Sequence, residues 1–360
     1  MVRGRHNTCY VIAAYVLAML LLSLATPFPL KAANHKSQIV CFVYHRFGDE
    51  RYPSTNIRTE VFREQLAYLK QNNFTVWTMG MAVNAIRNGD IVPPRTVVLT
   101  IDDGYRSFYE NGLPILEEFG YPATFYINTA NVGGADYLTW QQLLEVRQRG
   151  MEIGNHSHSH GHFLDISNTE ERKSLFISDL VTAQDYFNDS LGFTPVLYSY
   201  PYGEYDDVLE EVLKEAGFTS AAAQYSGVLY QGSNLFEIPR FPMGGPFATL
   251  KGFIQKSQMN PIEVISKKPE QIVMQQNPPL IEITLKSNSI DAEYLQCFVN
   301  GERNCITEMQ EGPDLIRMKI VSREILTGRR SLYTITAPAK DGKGWCWYSH
   351  VWVNTEVSED

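Results

Sequence analysis

Short apolar runs alternate with longer amphipathic segments over the first two thirds of the chain. Ile39–Tyr44, Thr96–Ile101 and Ala123–Ile127 have the length and composition of buried strands, and shorter strands are predicted at Glu152–Ile153 and Pro195–Tyr198. Apolar residues recur at helical spacing between these runs. The helices predicted from that spacing cover residues 59–72, 107–119, 139–149, 169–188 and 205–216. Alternation of strands and helices predicts an α/β fold with a parallel sheet, either open or closed into a barrel.

The pattern changes after about residue 265, where two proline-containing segments, 267–269 and 277–279, are typical of a linker. No long helical pattern follows. Short alternating runs of strand length appear at residues 280–285, 294–299, 315–320, 331–337 and 345–353. Short strands at this spacing predict an all-β sandwich. We therefore expect an α/β domain over residues 34–265 and a β-sandwich domain over residues 266–360.

The first 33 residues differ from both parts. Arg3 and Arg5 precede an apolar run at residues 10–24, and small residues follow at 32–33. A basic start, an apolar stretch and small residues near a cleavage point are typical of a secretory signal peptide. The run is short for a membrane span, which needs ~20 residues. We expect an exported protein, periplasmic or extracellular; an uncleaved N-terminal anchor is the alternative and would associate it with the membrane.

Composition and charge describe an ordinary globular protein with an acidic balance. The chain is 44% apolar and 20% charged, and its formal net charge is −9. The expected leader contains only basic charges, so its removal makes the rest more acidic still. An acidic surplus argues against nucleic acid as a partner.

The cysteines agree with export. Cys297 and Cys305 bracket Asn300-Gly301, a strong signal for a hairpin turn. Paired strands on either side of that turn would bring the two sulfur atoms within reach, which predicts a disulfide. Two small buried thiols are the alternative. Cys41 and Cys346 have no metal-ligand spacing and are expected on buried strands.

Candidate chemistry lies at the ends of two predicted strands. Asp102 and Asp103 directly follow a buried strand, at the end where α/β folds carry their active sites. An Asp-Asp-Gly sequence by itself is most often a plain turn. His156 and His160, four residues apart, follow another strand end and lie on a loop or a helical turn. Two imidazoles and a carboxylate can hold a divalent metal and leave the second carboxylate free as a base.

Three motifs in this order resemble those of the polysaccharide deacetylases, also called carbohydrate esterase family 4. Residues 100–104 (TIDDG) resemble the first motif, residues 155–160 (NHSHSH) the second and residues 200–203 (YPYG) the third. The resemblance covers about residues 38–245. It implies a distorted (β/α) barrel and hydrolysis of N-acetyl groups on a glycan.

Roles follow from the resemblance, motif by motif. Asp102 is expected to be the general base that activates the attacking water. Asp103, His156 and His160 are expected to bind the metal, for which zinc is the first choice, although other divalent transition metals fit. In the third motif Pro201 and Tyr202 are expected to contact substrate, the peptide N–H of Tyr202 stabilising the oxyanion. Tyr105, beside the first motif, is a further candidate for sugar contact.

The sequence departs from the family pattern at the residue that would pair with the general base Asp102. Ser199 stands where many members have an arginine that pairs with the catalytic aspartate. Arg240, in the segment 238–242 (IPRFP), resembles the Pro-Arg element of the poly-β-1,6-N-acetylglucosamine deacetylase branch. We expect Arg240 to orient Asp102 and keep it ionised through a bidentate contact. The alternative is a surface arginine in a loop.

A second departure concerns the general acid, because no late Leu-x-His element supplies the usual histidine. The pair Tyr44-His45 is similar to the Tyr-His of the same branch. His45 is therefore the candidate acid that protonates the leaving amine. A structural histidine at that strand end is the alternative.

The expected activity is metal-dependent removal of N-acetyl groups from a polysaccharide that contains N-acetylglucosamine. Two other functions are considered. The absence of the usual arginine and of the late histidine would also be consistent with a glycan-binding protein that does not catalyse. Binding alone, however, has no use for an open metal site. The same machinery could instead act on peptidoglycan.

Overall fold

The computed structural model describes residues 37–358. The predicted leader at residues 1–33, with Cys9, lies outside the described residues and stays a prediction. Among residues 37–358, no helix combines the length and the apolar character needed to cross a bilayer.

A nine-stranded sheet forms the first part of the molecule. Its strands, together with the small pair β2 and β3, are β1 (Gln38–Tyr44), β2 (Arg46–Phe47), β3 (Asn56–Ile57), β4 (Thr75–Trp77), β5 (Thr96–Ile101), β6 (Thr124–Ile127), β7 (Glu152–Asn155), β8 (Leu197–Ser199), β9 (Ser220–Ala222), β10 (Leu229–Tyr230) and β11 (Phe241–Pro242). The order β1-β5-β6-β7-β8-β9 is parallel throughout, with β4 also parallel to β5. Most of the buried strands predicted from apolar runs are present within one or two residues of their expected bounds.

The sheet curls back on itself through one segment. Ile238 bridges Ala222 at the end of β9, and β11, only a few residues later, pairs with β1. Residues 238–242 thus connect the two sides of the sheet and close a distorted barrel, as expected. The closing segment is short and carries prolines at both ends, so apolar periodicity did not reveal it as a strand.

Helices cover the outside of the sheet. They are α1 (Thr59–Gln71), α2 (Met79–Asn88), α3 (Leu113–Phe119), α4 (Trp140–Gln148), α5 (Thr169–Leu191), α6 (Asp207–Glu215) and α7 (Leu250–Lys256). A π-helical turn at Phe108–Gly112 leads directly into α3. Helix α4 begins with a capping box, in which the side chains of Thr139 and Gln142 each bond the other's backbone N–H. Helices α2 and α7 were not predicted.

The C-terminal part consists of two four-stranded sheets, ordered β12-β19-β18-β15 and β13-β14-β17-β16. Their strands are β12 (Asn260–Pro261), β13 (Val264–Lys268), β14 (Leu280–Lys286), β15 (Gln296–Val299), β16 (Cys305–Glu311), β17 (Leu315–Ser322), β18 (Arg330–Pro338) and β19 (Trp345–Val353). One apolar cluster draws on both sheets, with Ile283 and Ile316 from one facing Ile335 and Trp352 from the other. This is the predicted β-sandwich. The boundary expected after residue 265 falls inside β13 and stays a prediction.

The predicted disulfide between Cys297 and Cys305 is present, but the strand pairing behind the prediction was wrong. Asn300 and Gly301 form a tight turn with positive φ, and the backbones of Val299 and Glu302 bond across it. Beyond this turn the two flanking strands diverge, since β15 pairs with β18 and β16 pairs with β17. The disulfide therefore joins the two sheets of the sandwich rather than two strands of one hairpin.

The barrel and the sandwich pack along one face of the sheet that contains β18 and β19. Val351 and Val353 belong to an apolar cluster with Tyr198 of the barrel, and the Trp347 ring lies 5.5 Å from that of Phe241. Of the other two tryptophans on β19, Trp352 is buried in the sandwich core and Trp345 is 39% exposed.

Candidate metal centre and active site

Strand ends bring the candidate residues to one edge of the barrel. β1, β5, β7 and β8 run parallel and are followed directly by His45, Asp102, His156 and Tyr200. Since the carboxyl ends of parallel strands lie at one edge, motifs far apart in the chain meet there.

Asp103, His156 and His160 converge on one point. The Nε2 atoms of both imidazoles lie 3.2 Å from Oδ1 of Asp103 and 3.2 Å from each other. Asp103 and His156 are buried and His160 is partly exposed, so the group opens to solvent on one side. Two nitrogens and one carboxylate oxygen facing a common centre are the donor set of an open divalent metal site.

The histidine pair lies on a loop and not on a helical turn. Ser157 and His160 both have positive φ, 68° and 55°, which a helix does not allow. Two carboxylate bonds stabilise this conformation, because Asp179 of α5 accepts hydrogen bonds from the backbone N–H groups of His158 and Ser159, both at 2.8 Å. Asp179 has no sequence signal that links it to the loop.

The orientation of the His156 ring is fixed by a hydrogen bond at the nitrogen that does not face Asp103. Its Nδ1 donates a hydrogen bond to the carbonyl oxygen of Ser199 at 2.8 Å, the only role open to it opposite a carbonyl. In the neutral imidazole Nε2 is therefore the lone-pair nitrogen, and it faces Asp103. A histidine held in this way is typical of metal ligands.

The electrostatics of the triad favour a cation. Burial alone would raise the pKa of Asp103, but its hydrogen bonds to His156 and His160 bring it well below the usual range. Burial would likewise lower the pKa of His156, and the charges of Asp102 and Asp103 outweigh that effect and raise it. Positive charge is stabilised at this point, so the residues present fit a divalent metal.

Asp102 occupies a separate, fully buried position beside the triad. Its carboxylate accepts hydrogen bonds from Arg240 at 2.7 and 2.8 Å, one on each oxygen, and from the Ser199 hydroxyl at 3.1 Å. Oδ2 lies 4.0 Å from Nε2 of His156. Burial would raise the pKa of Asp102, but the charge and hydrogen bonds of Arg240 lead a set of contributions that lower it. The carboxylate is therefore ionised and directed towards the metal centre.

Arg240 reaches Asp102 from the closing segment of the barrel. The arginine is completely buried, and its remaining donors bond the carbonyl of Ala223 at 2.9 Å and the hydroxyl of Thr100 at 3.0 Å. Nη2 also donates to the Ser199 hydroxyl at 2.9 Å. Ser199, at the place of the family arginine, thus bridges the arginine and the aspartate. The structure places Arg240 inside the barrel and not on a surface loop.

His45 lies next to these charges without a hydrogen bond to them. Burial lowers its pKa, and the positive groups around it, Arg240 and His156, add to that effect against the opposing charges of Asp103 and Asp102. The resting imidazole is therefore mostly neutral at pH 7. A role as acid requires that it gain a proton during the reaction cycle.

The third motif forms a strained turn beside the candidate metal ligands. Pro201 opens it, and Tyr202 has φ 60° and ψ 1°, in the left-handed region. The Tyr202 ring meets the edge of the His160 ring at 4.5 Å and stacks on His162 at 3.7 Å. Gly203 is required here, since a Cβ would lie 2.5 Å from the backbone nitrogen of Gln224.

Tyr105 lies close enough to Asp103 for the charge of that carboxylate to affect it. Burial, followed by that charge, raises the pKa of its hydroxyl, which stays neutral. The guanidinium of Arg46 lies between two rings, 3.5 Å from the centre of Tyr105 and 3.7 Å from that of Tyr52. Arg46 also donates to Asp49 at 3.0 Å. Tyr105 is thus part of a rigid stack, which the sequence did not indicate.

Other residues around the site were also missed. His162 is outside the triad, and its Nδ1 lies 3.2 Å from Oε2 of Glu204. Arg329 and Arg330 of the sandwich contact the same turn. Glu204 directly follows the third motif and Arg329-Arg330 is a visible basic pair, yet nothing in their spacing connects them.

Comparison with known proteins agrees with the motifs. The family model described as polysaccharide deacetylase matches residues 89–221. The poly-beta-1,6-N-acetyl-D-glucosamine N-deacetylase of Escherichia coli (strain K12) is 29% identical over 307 aligned positions, which cover 71% of this chain and 44% of that protein. The enzyme of the same name from Staphylococcus aureus (strain MRSA252) is 26% identical over 209 positions, 55% of this chain and 71% of that protein. The chain thus spans less than half the length of its E. coli relative.

Solved structures share the fold of the barrel part. The Streptococcus pyogenes deacetylase PplD in complex with acetate superimposes with a TM-score of 0.56 at 20% identity, covering 62% of this chain and 99% of that one. IcaB from Ammonifex degensii gives a TM-score of 0.54 at 23% identity, covering 61% and 97%. Residues 89–221 therefore match the polysaccharide deacetylase domain, within a barrel whose fold these solved structures share.

Proposed function

We propose that this chain is a metal-dependent N-deacetylase that hydrolyses acetamido groups of a polysaccharide containing β-1,6-linked N-acetylglucosamine, outside the cytoplasm. One observation supports the catalytic part above all others. Asp102 is ionised, buried and held by Arg240, 4.0 Å from a nitrogen of the triad but not part of it. A protein that only bound glycans would have no need to bury a charged carboxylate beside three metal donors.

Asp103, His156 and His160 would hold the metal, and zinc suits this donor set best. A divalent metal bound there supplies Lewis-acid polarisation of the acetyl carbonyl and makes a water molecule more acidic. Asp102 takes the proton from the attacking water as the O–C bond forms. Arg240 and Ser199 keep its carboxylate oriented throughout.

The remaining residues complete the hydrolysis. The peptide N–H of Tyr202 donates to the developing oxyanion, and the strained turn of the third motif fixes its direction. His45 gives a proton to the leaving amine as the C–N bond breaks, so that acetate and a free amino sugar result. Because the resting imidazole is neutral, the proton that Asp102 removes is the source from which His45 becomes protonated. Tyr105 and Pro201 border the space for the sugar.

The choice of substrate rests on relatives. The E. coli and S. aureus proteins are named for poly-β-1,6-N-acetylglucosamine, and the Tyr44-His45 and Pro239-Arg240 pairs belong to the same branch by resemblance. This assignment is by analogy, so the test includes a second polymer.

The test measures acetate released from β-1,6-linked N-acetylglucosamine oligomers and from peptidoglycan fragments, with and without a chelator. Asp102→Asn should abolish release while bound zinc is unchanged, and His156→Ala should lose the zinc. His158→Ala, on the same loop but outside the triad, is the matched control and should retain both. Full activity of either of the first two variants would refute the mechanism. Faster release from peptidoglycan would reassign the substrate, and no release from any acetylated glycan would favour binding alone.

A further inference from the structure

Two consecutive arginines of the C-terminal sandwich contact the turn of the third motif. Arg330, the first residue of β18, donates from Nη1 to the carbonyl oxygen of Tyr202 at 3.0 Å, and its guanidinium lies 5.4 Å from the Tyr202 ring centre. Arg329 donates to both carboxylate oxygens of Glu204, from Nε at 2.7 Å and from Nη2 at 2.8 Å. The sandwich thus bonds the turn on both sides of Gly203.

The turn needs support from outside because its own backbone is strained. A non-glycine residue in the left-handed region, as at Tyr202, costs about 1–3 kcal/mol and persists only where its surroundings hold it. Within the turn, the N–H groups of Gly203 and Glu204 bond the carbonyls of Tyr200 and Pro201 at 2.9 and 3.1 Å. These bonds close the turn but do not fix its orientation towards the metal centre.

A continuous set of contacts connects the sandwich to the metal ligands. Arg329 is buried, bonds Glu204, and also bonds Asp165 at 2.7 Å. Glu204 in turn holds His162, whose ring stacks on Tyr202. The Tyr202 ring then touches the edge of His160, a member of the triad. One side of the candidate active site is therefore held by residues outside the barrel.

We propose that Arg330 and Arg329 are positioning residues, through which the sandwich holds the Tyr202 turn in the orientation that deacetylation requires. This inference rests on the proposed function. The sandwich then contributes to the geometry of the active site and is not a functionally independent domain. Neither arginine touches the reacting atoms.

The test compares Arg330→Met with Arg317→Met in the full chain. Methionine keeps the apolar stem of arginine and removes the donors, and Arg317 lies exposed on β17, within the other sheet. For Arg330→Met we expect kcat for acetate release to fall about 10–100-fold, since a displacement of ~1 Å can cost 100-fold. KM and bound zinc should stay within about twofold of the unmodified chain, and Arg330→Lys should recover part of kcat.

Hydrogen exchange gives a second readout that does not depend on activity. The amides of Gly203 and Glu204 should exchange at least about tenfold faster in Arg330→Met than in Arg317→Met, with thermal unfolding unchanged. The inference is overturned if exchange at these amides is unchanged. It is also overturned if kcat falls only in proportion to lost zinc or lost folded protein, or if exchange rises while kcat does not fall. If the unmodified chain releases no acetate, the proposed function fails, and the exchange rates alone then decide whether the arginines hold the turn.

Discussion

Two buried arginine–carboxylate pairs flank the candidate active site, and they differ in what they connect. Arg240 and Asp102 both belong to the barrel, and both are 0% exposed. Arg329 belongs to the sandwich and Glu204 to the barrel, and they are 5% and 4% exposed. Both pairs are bidentate, the geometry in which arginine best offsets the cost of burying two charges.

The difference lies in the rest of each carboxylate's surroundings. Asp102 has the metal triad in front of it, so its pair keeps a reactive group ionised and oriented. Glu204 contacts His162, and its ion pair with Arg329 holds the turn of the third motif where the barrel meets the sandwich. The same kind of ion pair thus holds the proposed base in one place and a contact between barrel and sandwich in the other. Four predictions test this contrast.

The largest effect is expected from Arg240→Met, which leaves Asp102 as an uncompensated buried charge. Breaking such a pair costs about 3–5 kcal/mol in the free energy of unfolding. Loss of the oriented base should also lower kcat by about 100-fold or more. Urea unfolding and acetate release measure the two effects. Arg149→Met, which breaks the partly exposed pair with Glu117, is the control and should cost under about 1 kcal/mol. Equal effects of the two variants would contradict the assignment.

Arg329→Met should cost less, about 2–3 kcal/mol, because Glu204 keeps His162 as a partner. Zinc content should not change, since no triad residue contacts Arg329. The same unfolding and metal measurements apply to both arginine variants. If Arg329→Met released the metal while Arg240→Met did not, the contrast between base and interface would be wrong.

Removal of the disulfide tests whether the sandwich can weaken without changing the barrel. The double change Cys297→Ser and Cys305→Ser opens a short covalent loop, which should lower the free energy of unfolding by about 2 kcal/mol. The bond lies between the two sheets and touches neither Arg329 nor Arg330. We therefore expect kcat at a temperature well below unfolding to match that of the oxidised chain. A lower kcat there would mean that sheet packing, and not only the arginine contacts, sets the turn.

The smallest effect is expected at Lys256, on the barrel side of the contact with the sandwich. Burial lowers its pKa to about 8. A lysine in the unfolded chain titrates near 10.4, so between these values the unfolded state binds more protons and stability rises with pH. Lys256→Met should remove that rise and add on the order of 1 kcal/mol at pH 7. The check is the free energy of unfolding, measured for both chains from pH 7 to 10.5. If its slope against pH is the same in Lys256→Met as in the unmodified chain, the Lys256 ammonium is exposed to solvent.

The elements that the sequence predicted share a local origin. Thr96–Ile101 and Trp345–Val353 were expected at or near their observed bounds, because apolar runs and alternation reflect burial directly. The capping box at Thr139 depends on residues three apart. Two of the missed strands are short or weakly patterned: β11 contains a proline, and the residues of β16 are mostly exposed. Helix α2 was missed although its buried residues have helical spacing.

At the site, the motifs revealed the candidate metal donors but not the residues that position them. Asp103, His156 and His160 each lie in a motif, and the triad has the donor set that the motifs imply. The helical turn considered for the histidines was wrong, since two positive φ angles and the carboxylate of Asp179 shape a loop instead. A hydrogen bond from a helix to a loop twenty residues away has no signature in residue spacing.

The sequence by itself determined most strands, the three motifs, the sandwich and the candidate metal donors, because each strand and each motif is formed by residues close together in the chain. Resemblance to a family element predicted the contact between Arg240 and Asp102, but only the tertiary structure decided that Ser199 joins this pair and which residues hold the turn. Ser199 and Arg240 meet at Asp102, and Arg329 meets Glu204 across 125 positions. Their contacts follow from how the barrel closes and how the sandwich packs on it. The energy of a buried charge pair depends on that geometry and not on the order of residues along the chain.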